Sequence, residues 1–172
     1  MKQIVCNTKF RLNAFGDGGS KRSVQLRELL SDNGVPYKED RFELPKGCSN
    51  WQLFKLALRS VGFIRKNYPK KKIHSPRQYF DLIRYYALRL GVVYDQYEKE
   101  DVAFFWENTT DQKLVYLMKA TGHTIVGVPH NLESLVTGRS VSALKDEIDN
   151  LKVCDLVFSI STEETWLLFS YK

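Results

Sequence analysis

The stretch KQIVCN, Lys2 to Asn7, followed at Gly16 by GDGGSKRS and then by a segment with helical spacing, decides the architecture. Lys2 to Asn7 reads as a short buried strand. Gly16 to Ser23 makes a turn, and Ser20 to Asn33 repeats Val24, Leu26, Leu29 and Leu30 near a helical period before Asn33-Gly34 stops it. The unit is strand, loop, helix. Glycines are common wherever a strand hands over to a helix, so Gly16, Gly18 and Gly19 serve either a plain turn or a phosphate.

The same alternation runs down the chain. Pro36 to Leu44 reads as a second strand, and Ser49 caps a helix through Ile64 with Leu53, Leu56, Ala57, Val61 and Ile64 on one face, widened by Phe54 and Leu58. Ser75-Pro76 starts another helix, carried to Gly91 by Phe80, Ile83, Ala87 and Leu90. Asp101 to Trp106 is an apolar strand, and a helix follows from about Thr110 to Ala120. His123 to Val128 is a strand, Val141 to Leu151 a helix and Asp155 to Ile160 the last strand, with Ser161 to Glu164 opening a helix. Strands apolar on both faces and separated by helices predict an α/β domain: a Rossmann-like, doubly wound, mostly parallel sheet with helices on both faces.

At 172 residues and 43% hydrophobic, the chain is expected to form a single domain over 1–172. Cys6, Cys48 and Cys154 form neither a CxxC pair nor a metal-ligand spacing, which fits a reduced cytoplasmic protein with no metal site. The first residues are too short an apolar run for a signal peptide, and no apolar stretch is long enough to cross a membrane.

The net charge of +6 is unevenly placed. No acidic residue lies between Glu43 and Asp81, a window that holds Lys46, Lys55, Arg59, Arg65, Lys66, Lys70, Lys71, Lys72 and Arg77. Such a block attracts an anionic partner, whether nucleic acid, lipid headgroups or a phosphorylated substrate, or it is a solvated loop around Asn67 to Lys72. Tyr68 and Tyr79 offer stacking surfaces, but no nucleic-acid-binding motif accompanies them, so nucleic acid is the less favoured partner.

Several chemistries are excluded by spacing. Lys21 stands where a dinucleotide fingerprint needs its third glycine, Gly19-Ser20-Lys21 breaks the Gly-Lys adjacency of a Walker A loop, and there is no GxSxG elbow. What remains is Gly18-Gly19 before a helix N-terminus, whose free backbone N–H groups suit a phosphate. In open parallel sheets, ligands bind beyond the carboxyl ends of the strands. The loops there carry Glu107 and Asn108, then His130, Asn131 and Glu133, then Ser161-Thr162. Glu107 and Asn108 suit a sugar hydroxyl or a helix cap equally well, and a lone histidine such as His130 is more often structural.

The order of these pieces resembles the N-terminal domain of glycosyltransferases with the GT-B fold, family 4-like enzymes that use a nucleotide-sugar. It spans the Gly18-Gly19-Ser20-Lys21-Arg22 loop, the helix ending at Asn33-Gly34, the strand Val102 to Trp106, the segment Ile125 to Ser134 and the closing Cys154 to Glu164 pattern. The resemblance implies an acceptor-binding domain of a retaining enzyme of polysaccharide biosynthesis. Such an enzyme passes a sugar from a nucleotide-sugar co-substrate, with no further cofactor, to a glycan or lipid-linked acceptor. It places Gly18 and Gly19 near the donor diphosphate and His130, as the catalytic residue, at the donor sugar. Glu107, Asn108, Asn131 and Glu133 become sugar or acceptor contacts, and Asn131 stands where these enzymes frequently carry Asp. A C-terminal donor-binding domain is expected outside this chain, which alone is expected to be inactive. Arg65, Lys66, Lys70, Lys71, Lys72 and Arg77 would then hold the protein peripherally at the inner face of an anionic membrane. The competing expectation is a non-catalytic α/β module that binds an anionic partner, nucleic acid or membrane, through segment 46–77.

Overall fold

The computed structural model describes residues 2–8, 18–44, 47, 49–129, 132, 137–138 and 140–158. The chain forms two compact units. The first is Met1–Arg41, Asp101–Val115 and His123–Lys172, and the second is Phe42–Glu100 with Tyr116–Gly122.

The first unit is built on five strands: β1 (Gln3–Asn7), β2 (Tyr37–Glu39), β3 (Val102–Trp106), β4 (Thr124–Gly127) and β5 (Leu156–Val157). All neighbours are parallel, in the order β2-β1-β3-β4-β5. Ile4 pairs with Tyr37 on one side of β1, and Val5 pairs with Phe104 on the other. Parallel neighbours need crossovers, and these are right-handed almost without exception. The step from β1 to β2 and the step from β4 to β5 run in opposite directions across the sheet. Their helices, α1 (Gly18–Asp32) and α6 (Val141–Leu151; α2 to α5 are introduced below), therefore cover opposite faces. The sheet is Rossmann-like, with Val5, Cys6, Phe104, Trp106 and Ile125 fully buried in it.

Local sequence explains the helix ends. Gly34 adopts a left-handed φ of 65° after α1. Val35 N donates to Leu30 O at 2.8 Å and Gly34 N to Ser31 O at 2.9 Å, the paired bonds of a glycine C-terminal cap. Ser140 accepts from Ala143 N and starts α6. α1 begins two residues earlier than the spacing predicts, so Gly18 and Gly19 belong to its first turn rather than to a preceding loop. Its buried face is Ser23, Arg27 and Leu30, while Leu29, read as apolar core, is 59% exposed.

The second unit is helical. α2 (Asn50–Asn67) is opened by a capping box between Ser49 and Gln52. α3 (Pro76–Arg89) starts with Ser75 accepting from Gln78 N and a proline in its first turn. A π-helical turn over Leu90–Tyr94 and the short α4 (Asp95–Tyr97) prolong it. Ser60 Oγ donates to Ala57 O at 2.7 Å and approaches Ile83 O at 3.1 Å, joining α2 to α3 where the helices pack. Phe63 and Tyr68 pack on Tyr86, and Tyr68 also meets Tyr116 of α5 (Leu114–Ala120). Arg59 closes this unit with a two-pronged ion pair to Asp95.

Three further expectations need correction. The second strand stops at Glu39 instead of Leu44, since this sheet edge has a partner on one side only and Phe42 takes a φ of 51° that no strand allows. The helix expected from Thr110 starts at Leu114, because turn bonds from Asp111 N to Asn108 O and from Leu114 N to Asp111 O occupy the preceding residues. Lys70–Lys72 is a 3-10 turn rather than an open loop, held by Lys72 N donating to Pro69 O.

Candidate functional site

The strand order reverses between β1 and β3, which makes the carboxyl ends of these two strands the topological switch point of the sheet. Asn7 ends β1 and organises this place. Its carbonyl accepts from Glu107 N at 3.0 Å and Asn108 N at 2.8 Å, just past β3, and its side-chain Nδ2 donates to Asp40 O at 2.9 Å, just past β2. Three strand ends are thereby fixed to one residue.

Beneath them lies a buried ionic cluster. Arg27, on the inward face of α1, donates through Nη2 to Glu107 Oε1 at 2.5 Å and through Nε and Nη2 to the carboxylate of Glu39. Ser23, one turn earlier, donates to Glu107 Oε2 at 2.6 Å and lies 3.4 Å from the hydroxyl of Thr8. The Glu107 side chain is fully buried, that of Arg27 nearly so, and that of Glu39 about a third exposed, at 34%. One guanidinium thus faces two carboxylates.

Burial raises the pKa of Glu107 above the usual carboxylate value, while Arg27 and the Ser23 hydroxyl work in the opposite direction. Burial also opposes the charge on Arg27, but its bonds to Glu39 and the nearby charge and hydrogen bond of Glu107 outweigh this and hold it protonated. The Cys6 thiol, shut inside the sheet beside this cluster, is pushed up to about 12, chiefly by desolvation. It is a packing residue and no nucleophile.

Three buried polar atoms here have no hydrogen-bond partner among the described residues: Asn7 Oδ1, Arg27 Nη1 and Trp106 Nε1. They belong to the last residue of β1, the last residue of β3 and the face of α1 that packs under them.

The residues singled out by sequence divide as follows. Gly18 and Gly19 form the first turn of α1 on the chain that leaves β1, and their backbone N–H groups belong to the unpaired start of a 15-residue helix. Glu107 is at the switch point, but its carboxylate is occupied by Ser23 and Arg27 instead of being open to a sugar. Asn108 accepts from the Thr110 hydroxyl at 2.8 Å and opens the turn before α5. His130, Asn131 and Glu133 lie outside the described residues, as do Ser161 and Thr162. Arg65, Lys66, Lys70, Lys71 and Arg77 are exposed on the second unit. Lys72 departs from them, being only 8% exposed, and its charge is not presented to a flat partner. Among the described residues no three His, Cys, Asp or Glu side chains converge as a metal site would require.

Asn7, Ser23, Arg27 and Glu39 went unmarked by motif. One signal was available: Ser23, Arg27 and Leu30 share a helical face, and an arginine at a core-facing position requires a buried anion.

No family model, no curated protein and no solved structure matches the chain. Among the described residues no helix is long and apolar enough to cross a membrane.

Proposed function

We propose that this protein is the acceptor-side part of a retaining glycosyltransferase. In this reading it takes a sugar from a nucleotide-sugar and passes it to a glycan or lipid-linked acceptor. The observation that carries the reading is that α1, opened by Gly18-Gly19, reaches the switch point little more than one turn later, where Ser23 meets Thr8 just past β1 and Glu107 just past β3. A helix N-terminus favours a phosphate through its free N–H groups and its dipole, and two glycines let the diphosphate approach the backbone. Arg27 Nη1 and Trp106 Nε1 are donors suited to a hydroxyl, phosphate or water oxygen, and Asn7 Oδ1 is an acceptor suited to a hydroxyl or water O–H.

On this account the chain's own work is positioning. Arg27, Glu39, Ser23 and Glu107 fix α1 against the ends of β2 and β3, so that the first turn of α1 keeps one orientation toward the donor. Holding donor and acceptor in one geometry supplies much of the rate enhancement in a transfer of this kind. His130, which ends the segment after β4, is the residue assigned to the donor sugar by the resemblance.

The test is a transfer assay with the protein as its gene encodes it, using labelled nucleotide-sugars and a cell-envelope glycan and lipid extract. Labelled product is expected from one donor class. A folded protein that neither releases nucleoside diphosphate nor labels any acceptor would contradict the proposal.

A further inference from the structure

α2 carries two apolar faces, of which only one is used by the fold. Ser60, Phe63 and Ile64 turn inward, with Leu53, Leu56 and Ala57 half-buried beside them. On the opposite side of the same helix, Trp51, Phe54 and Leu58 are exposed by 64%, 52% and 60%. Their i, i+3, i+7 spacing sets them in one row along the helix. The row is ordered: Trp51 and Phe54 stack with ring centroids 5.7 Å apart, and Lys55 Nζ lies 5.3 Å over the Trp51 ring. Gly62 continues the row and leaves it flat.

Cations flank this row. Lys55, Arg65 and Lys66 on α2 are exposed, and so are Lys70, Lys71 and Arg77 beyond it, with no acidic residue from Leu44 to Phe80. Arg59 is committed to Asp95 and is not part of this set. Beside α2, an apolar groove of about 340 Å³ runs between α2 and α3, lined by Leu53, Ala57, Phe80, Ile83, Ala87 and Leu88. Phe80, read from spacing as a core residue, is 68% exposed at the groove's edge.

We infer that this face of the second unit docks on an anionic lipid surface, with Trp51, Phe54 and Leu58 inserted among the acyl chains and Lys55, Arg65 and Lys66 at the headgroups. Isolated exposed apolar residues need no explanation, but an aligned aromatic row rimmed by lysine and arginine matches the interface, where rings sit at headgroup depth and basic side chains meet phosphate. Charge complementarity selects an anionic bilayer over a second copy of this chain, since two such faces would oppose like charges. A lipid surface is also preferred to nucleic acid, because the aliphatic Leu58 and the apolar lining of the groove, Leu53, Ala57, Ile83 and Leu88, add area that bases stacking on rings would not use. The docking face stands whether or not the protein transfers sugar.

Trp51 is a native reporter. The test measures co-sedimentation and tryptophan emission with vesicles of phosphatidylcholine alone and with about 30% phosphatidylglycerol. Emission is expected to shift to the blue only with anionic vesicles, and the shift to vanish in Trp51→Phe, which retains binding. The triple variant Trp51→Ser, Phe54→Ser, Leu58→Ser should lower vesicle partitioning by about tenfold or more. Lys55→Gln, Arg65→Gln, Lys66→Gln should lower it by a similar factor and flatten its salt dependence. All substituted side chains are exposed, so far-ultraviolet circular dichroism should be unchanged. Equal binding to neutral and anionic vesicles, or unchanged binding by the Ser variant, would overturn the inference. So would a dimer in sedimentation velocity or capture of single-stranded RNA, if lost in the Ser or Gln variant respectively and seen without vesicle binding.

Discussion

Arg27 Nη2 lies 2.5 Å from Glu107 Oε1, joining helix α1 to the end of strand β3 across 80 positions of sequence. Neither side chain has appreciable contact with solvent. Removing one partner of such a pair strands a buried charge, which typically costs about 3–5 kcal/mol, whereas neutralising while keeping the hydrogen bonds costs far less. Arg27→Met is therefore expected to lose about 3–5 kcal/mol in urea unfolding, and Glu107→Gln about 1 kcal/mol. Equal losses would show that the cluster is not electrostatically tight.

The same cluster sets a pH dependence. Because the folded pKa of Glu107 is raised, folding favours its protonated form. The contribution is complete below the unfolded value and is lost as pH rises through the folded one. Arg27 is the charge that limits this shift, so Arg27→Met should widen the window. The variant's deficit relative to wild type is expected to grow as pH is raised from acid to neutral. Melting temperatures followed across that range check it, and a deficit independent of pH would contradict it.

Cys6 provides a separate probe of the sheet. With its thiol buried and pushed up to about 12, it should resist iodoacetamide in the native protein at mildly alkaline pH and react only in denaturant. Peptide mapping after brief labelling reads this directly.

At the end of α1, Gly34 holds a left-handed conformation with open space around the position of a Cβ. The penalty for Gly34→Ala is thus conformational alone, about 1 kcal/mol. A lowered denaturation midpoint with an unchanged slope is the expected result.

The sequence made the alternation of strands and helices legible because β1, β3 and β4 are apolar on both faces and helix ends are marked by readable signals: Ser49, Ser75-Pro76 and Asn33-Gly34. The site was less legible. Arg27 acquires its meaning only when strand order brings Glu39 and Glu107 to one point, and periodicity around Leu26 and Leu29 drew attention to the neighbouring face of α1. Phe80 and Phe54 show the converse. Apolar spacing identifies a face that avoids water, but it does not distinguish a core from a docking surface.

His130 can be separated from a structural role by pairing two readouts. If it meets the donor sugar mainly in the transition state, His130→Ala should lower kcat by roughly 10²-fold with little change in melting temperature. Lower stability with unchanged activity per folded molecule would remove it from the site.

If the donor diphosphate lies on the first turn of α1, a side chain at Gly19 must obstruct it, and Gly19→Val supplies one. A helix accepts valine at this position at least as well as glycine, so folding should be preserved. The measurement is steady-state release of nucleoside diphosphate from the preferred nucleotide-sugar, with thermal unfolding recorded on the same samples. A rise in donor KM or a loss of turnover of about 10²-fold or more, at unchanged melting temperature, is the expected result. Unaltered donor kinetics in a folded Gly19→Val protein would contradict the account.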